Sequence, residues 1–162
     1  MGMGTRYNRA VNRFSATGLG SWLVKHVAAR LDPLIFRATG GRFTITGPPT
    51  LPMLTLTTIG RQSGRPRSVQ LAYVAGEGGY LVVASAMGQQ RHPGWRYNLE
   101  AAGQASVVLR GRTEHVTAEV LTDDEKSEWW DQIVAEIPQM HTYTERTDRN
   151  IRVFRLTPIA EM

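Results

Sequence analysis

The chain has 162 residues, 41% of them hydrophobic and 20% charged, with a formal net charge of +5. That is one domain's worth of chain, too apolar for disorder. The lack of any cysteine excludes a disulfide framework, a thiol nucleophile and an iron–sulfur cluster.

No apolar run approaches the roughly 18 residues that a membrane-crossing helix needs. The opening MGMGTR shows no secretory pattern, and Arg6 stands where N-myristoylation needs Ser or Thr. A soluble cytoplasmic protein is therefore expected. Its charge is uneven: residues 1–50 hold seven Lys and Arg against Asp32 alone, and the remainder is nearly neutral. Such a basic arm is drawn to phosphates on an anionic lipid surface or on nucleic acid. No zinc-finger or base-stacking motif accompanies it, so nucleic acid is not an expected partner.

In chain order, Leu19–Leu31 places Leu19, Trp22, Leu23, Val27 and Leu31 near one face of a helix. With Lys25 and Arg30 off that stripe, the helix suits a bilayer interface, or it packs on the body or a second subunit. Asp32-Pro33 ends it, a short helical piece through Arg37 follows, and Gly40-Gly41 breaks the chain. Residues 1–42 are thus read as a basic amphipathic arm and 43–162 as the main domain, entered through the extended Gly47-Pro48-Pro49.

From Leu51 the period changes to two. Leu54, Leu56 and Thr58 alternate with Thr55, Thr57 and Ile59, which predicts a strand. Residues 60–68 form a polar turn, 68–75 a second strand, 76–79 a hairpin, and 80–85 a third, almost wholly apolar strand. Pro93 opens a helix over 94–102. Strands over 105–111 and 113–121 come next, joined around Gly111-Arg112. Thr122 to Glu125 is a capping box opening a helix with Trp129, Ile133 and Ile137 on one stripe. Pro138 ends that helix, a loop holds Met140 and Tyr143, and 151–158 is a last strand. About six mostly antiparallel strands with two or three helices predict a mainly β (α+β) chain folded as a small closed or split barrel.

The usual catalysts are missing. His26, His92, His115 and His141 show no HExxH or helical ligand spacing, so no metal site is expected. Ser85 precedes Ala-Met-Gly, which is no nucleophile elbow. Three clusters stand out instead. Arg61, Arg65 and Arg67 flank Ser63 and Gly64, where exposed amides, a hydroxyl and guanidiniums make a phosphate cradle or merely a solvated turn. Ser85–Trp95 runs from a strand end to a helix start, where free amides can meet an anion or ring carbonyl. Met140 and Tyr143 offer an apolar wall for a planar ligand.

Together, LTLTTIGRQSGRPRSVQLAYV, GGYLVVASAMGQQRHPGWRYNL and YTERTDRNIRVFRLTP resemble one family, from about Gly40 to Pro158. These segments are similar to the actinobacterial deazaflavin-dependent nitroreductases, coenzyme F420-dependent oxidoreductases with a split β-barrel. The resemblance implies that Arg61, Gln62, Ser63, Gly64 and Arg67 hold the cofactor phosphate. It implies that the ring lies against Val83, Ala84, Ser85, Ala86, Met87 and Gly88, near Pro93 and Trp95. Met140 and Tyr143 would face the substrate, and Ser85 or Tyr143 would donate a hydrogen bond during hydride transfer to a quinone, nitroaromatic or enone. Gln62 stands where the family often has Lys, Ala86 at another commonly basic position, and Met140 where a second tyrosine is expected. A homodimer and an N-terminal link to membrane quinones also follow from the resemblance. Flavin mononucleotide is the alternative cofactor, and a non-catalytic carrier of cofactor or hydrophobic ligand the alternative role.

Overall fold

A computed structural model describes residues 51–159 and, apart from these, Ile35, which is helical. The expected amphipathic helix, the Gly/Pro linker and the 42/43 boundary lie outside the described residues. Residues 51–159 form strands β1 (Met53–Ile59), β2 (Pro66–Gly76) and β3 (Gly79–Val83), then helix α1 (Gly94–Ala102). Strands β4 (Gln104–Leu109) and β5 (Arg112–Val120), helices α2 (Asp123–Glu136) and α3 (Gln139–Glu145), and strand β6 (Val153–Pro158) complete the order.

The six strands close into an antiparallel barrel in the order β1-β2-β3-β6-β5-β4, with β4 returning to β1. Closure leaves no edge for another chain to extend. In β1 the predicted alternation holds, with Leu54, Leu56 and Thr58 buried and Met53, Thr55 and Thr57 half-buried. Strand β3 reads as an unbroken apolar run because both its faces are covered. Val82 joins the core inside the barrel with Leu54, Leu56, Val107, Val116, Phe154 and Leu156. Its neighbours Leu81 and Val83 point the other way, into an outer core with Ile133, Ile137, Met140, Ile151 and Val153. Each such side chain contributes about 1.5–3 kcal/mol by leaving water.

The helices serve these two cores. Trp95 and Leu99, four residues apart on α1, enter the inner core, and the Trp95 ring lies 5.6 Å from that of Phe154. Helix α2 starts at the predicted capping box: Thr122 Oγ1 accepts from the Glu125 amide at 3.2 Å, and Glu125 Oε2 from the Thr122 amide at 2.9 Å. One expectation is corrected. The stretch holding Met140 and Tyr143 is helix α3, not a loop. Pro138 does end α2, but its own helical backbone (φ −57°, ψ −24°) begins the next turn, a place where the fixed proline φ is favourable.

Candidate active site

The turn after β1 folds back on itself. The Gly60 amide donates to Arg65 O at 2.9 Å, while Gly60 O accepts from Ser63 and Gly64 at 3.1 and 2.8 Å. Ser63 Oγ accepts from the Arg65 amide at 3.4 Å. The fold is so tight that a Cβ on Gly60 would sit 2.5 Å from Ser63 Oγ. A helix pins the turn from outside: Asn98 Oδ1 on α1 accepts from the Arg61 amide at 3.1 Å, and Asn98 Nδ2 donates to the buried Thr58 hydroxyl at 3.4 Å. The expected free amides are therefore largely spent within the turn, which corrects the picture of an amide cradle. The side chains remain. Arg61, Arg65 and Arg67 are exposed, and none takes part in an ion pair among the described residues.

Between this turn and α1 lies a cavity of about 520 Å³, within the roughly 300–1,000 Å³ of small-molecule sites. Arg61, Gln62, Ser63 and Arg67 line it from the turn, and Trp95, Tyr97 and Asn98 from the helix. The Tyr97 ring carries two cations, Arg61 at 5.3 Å and Arg96 at 4.8 Å from its centroid. Such contacts orient a guanidinium without neutralising it. Arg96 is balanced by Glu100 at 2.9 Å; Arg61 has no ion pair among the described residues.

The second cluster is built differently. Val83 and Ala84 are buried, one in the outer and one in the inner core. Ser85 is 9% exposed, and its hydroxyl makes no hydrogen bond among the described residues. Ala86, Met87 and Gly88 then turn left-handed, with φ of 45°, 55° and 75°, and Met87 projects into solvent at 61% exposure. Gly88 is needed here for space as well as for its φ, since a Cβ would lie 2.9 Å from Arg146 Cβ and from Tyr143 O. Pro93 is the N-cap of α1, beside His92. Burial, then the nearby Arg96 and Arg149 cations, hold His92 below the ordinary imidazole range. Its ring meets the edge of Tyr97 at 6.1 Å, so the two clusters touch through α1.

On α3, Met140 is 6% exposed and packs in the outer core. Tyr143 is half-buried against that core, with the Arg146 guanidinium 6.0 Å from its ring. Arg61, Gln62, Ser63, Arg67 and Trp95 thus share one cavity, and Gly64 lies in the same turn. Residues 83–88 and Tyr143 form a separate group around the left-handed turn. Among the described residues no cluster of His, Asp and Glu is arranged to hold a metal, and no helix is long and apolar enough to cross a membrane.

The sequence profile of the F420H(2)-dependent quinone reductases matches residues 28–158. The chain belongs to that family. An F420H(2)-dependent quinone reductase of Mycobacterium tuberculosis is 35% identical over 146 residues, 86% of this chain and 97% of that relative. A solved F420-H2 dependent reductase is 36% identical, with a TM-score of 0.59 over 65% of this chain and 93% of its own. Another solved chain, described as a domain-swapped dimer, is 31% identical with a TM-score of 0.61, covering 84% of this chain and 97% of that one. Membership bears out the resemblance read from the three segments, the split barrel and the oxidoreductase class. The F420H(2) dependence of the family supports coenzyme F420 as cofactor and leaves flavin mononucleotide a minor alternative.

For a quinone reductase of this family, three residues of the site have no role that the sequence alone assigns. Asn98 and Tyr97 sit in the predicted helix, at the end of the segment GGYLVVASAMGQQRHPGWRYNL, and only the position of α1 over the turn brings them to Arg61. Arg149, in the polar run Thr144–Asn150, donates to Gln89 O at 2.8 Å, Ala84 O at 3.0 Å and Ser85 O, and meets His92 Nδ1 at 3.1 Å. Its separation from these partners, 57 to 65 residues, hides it from local pattern reading.

Proposed function

We propose that this chain reduces a quinone with hydride from reduced coenzyme F420 held in the Arg61–Tyr97 cavity. The observation that carries the reading is two guanidiniums, Arg61 and Arg67, that line a cavity of ligand size and have no carboxylate partner among the described residues. That donor set fits an anionic cofactor tail, because charge-assisted hydrogen bonds to phosphate are the strong ones. Arg61 and Arg67 would hold the tail, with Arg65 at the rim, Ser63 and Gln62 adding neutral donors and Gly64 giving the turn its shape. The ring would lie toward Ser85, Ala86, Met87 and Gly88, over a floor stiffened by the buried Val83 and Ala84, with Pro93 and Trp95 at the helix start.

When bound, the reduced deazaflavin supplies the hydride. The protein's own task is positioning and electrostatics. The Ser85 hydroxyl, without a hydrogen-bond partner among the described residues, and Tyr143 are the donors for negative charge growing on the acceptor. Met140, beneath Tyr143, would shape the acceptor side from the core. Because a hydride acceptor needs only a flat apolar face and one or two donors, nitroaromatics and enones are secondary acceptors in this reading.

The test is oxidation of reduced F420 by a soluble naphthoquinone, followed by the return of deazaflavin absorbance. Turnover with quinone, slower turnover with a nitroaromatic, and a fall of about tenfold or more in kcat for Ser85→Ala are expected, in line with loss of one such donor. Binding without turnover of any acceptor would favour a carrier role.

Two further points belong to the same proposal. A second copy of the chain is a partner, supported by the relative described as a domain-swapped dimer. The excess of cations in residues 1–50 and the Trp22 stripe support contact of the arm with an anionic membrane surface on the cytoplasmic side.

A further inference from the structure

Ser85 and Met87 are presented by a turn that its own side chains oppose. Ala86, Met87 and Gly88 are consecutive left-handed residues, and two of the three carry a Cβ. L-residues adopt that conformation singly and rarely in a row. It persists only where the surroundings leave the chain no alternative.

Those surroundings converge on one side chain. The Arg149 guanidinium donates to Ala84 O and Ser85 O before the turn, and through Nε to Gln89 O after it. A fourth N–H faces His92 Nδ1. Arg149 has no ion pair among the described residues, so its donors are spent on this loop. Only a planar fork reaches carbonyls at both ends of a turn at once; an ammonium presents its donors from a point. The neighbouring residues tighten the same junction. Thr147 Oγ1 donates to Gln90 Oε1 at 3.1 Å, and Gln90 Nε2 donates to Arg146 O at 3.3 Å.

We propose that Arg149 is the positioning residue of this site: its guanidinium fixes the left-handed turn Ala86–Gly88 and so sets where Ser85 and Met87 meet the ligand. The clamp stands on geometry alone; its service to hydride transfer rests on the proposed function above.

The experiment uses the full chain with Arg149→Ala and Arg149→Lys. Amide hydrogen exchange without added cofactor reads the clamp. In both variants the amides of 86–92 should exchange at least tenfold faster while the barrel strands keep their protection. Ala86→Gly, which relieves the strain at its source, should restore part of that protection in the Arg149→Ala background. Steady-state kinetics with reduced F420 and a naphthoquinone read the service: kcat should fall at least tenfold, with the Kd for F420 moving less than threefold because Arg61 and Arg67 are untouched.

Unchanged exchange at 86–92, or faster exchange spread evenly over the strands, overturns the clamp. Loosening of 86–92 with kcat unchanged overturns the positioning role. If the wild-type protein binds no F420, the proposed function fails, and the exchange arm still decides the clamp. Should Arg149→Ala not fold, Arg149→Lys carries the same readings.

Discussion

In the turn Gly60–Ser68 most amides are met within the turn or by Asn98 and three guanidiniums have no ion pair among the described residues, whereas in Ala84–His92 the backbone is strained and a guanidinium from 57 to 65 residues away is consumed in holding it. Both loops flank α1, and both look alike as sequence: Gly, Arg, Ser and Gln, with a proline inside the first and directly after the second. The difference lies in what each arginine faces. An arginine with no carbonyl or carboxylate partner is available to a ligand. One with its N–H groups committed to carbonyls is part of the scaffold, and its loss is felt in the loop first.

The largest effect should come from the free arginines. Arg61→Ala and Arg67→Ala are each expected to weaken F420 binding by about 1.5–3 kcal/mol, the range of hydrogen bonds to charged groups, and fluorescence titration reads it. Their thermal stability should hardly change, since both side chains are exposed and Arg61 makes only a surface contact with the Tyr97 ring. If either variant lost stability instead of affinity, the contrast between the two loops would break.

In the strained loop the order reverses. Gly88→Ala adds a Cβ against Arg146 and Tyr143 at a positive φ, so urea unfolding should show a loss of about 1–3 kcal/mol. Ala86→Gly should do the opposite, with a gain of about 0.5–1 kcal/mol as the strain of a left-handed Ala exceeds the entropy cost of Gly. A stabilising Gly at 86 beside a destabilising Ala at 88 would confirm that strain, and not mere packing, marks this loop.

The smallest effect is a pH dependence. His92 is held below its ordinary pKa of 6.5 in the folded state by burial and by Arg96 and Arg149. The unfolded chain therefore takes up the proton first. Stability is full above about 6.5 and is lost as the pH falls from there toward the lower folded value. His92→Asn should flatten that slope in urea midpoints measured across the range, leaving the alkaline side unchanged.

Much of the barrel was legible before any coordinates. The period-two run from Leu54 to Ile59, the doubly apolar β3 and the Thr122–Glu125 box are local signals, and each names its element. Pro138 misled because proline both stops one helix and suits the first turn of the next, and only the packing of Met140 into the outer core decides for α3. In the site, the free arginines were visible as a cluster, but the spent amides of the Gly60 turn were not, since they depend on how the turn closes. Arg149 stood in the segment YTERTDRNIRVFRLTP, but its role was not legible: in ThrGluArgThrAspArgAsn it is one polar residue among seven, and its carbonyl partners come from beyond the far end of β3. The left-handed Ala86 and Met87 were equally hidden, because neither is glycine.

The central claim is that the free cations beside α1 hold a deazaflavin for hydride transfer. Titration of the purified protein with coenzyme F420 and, separately, with flavin mononucleotide, read by fluorescence quenching, tests it most directly. Saturable F420 binding that is lost in the Arg61→Ala, Arg67→Ala double variant, with flavin mononucleotide bound weakly or not at all, is the predicted result. Tighter binding of flavin mononucleotide, or F420 binding indifferent to both arginines, would contradict it.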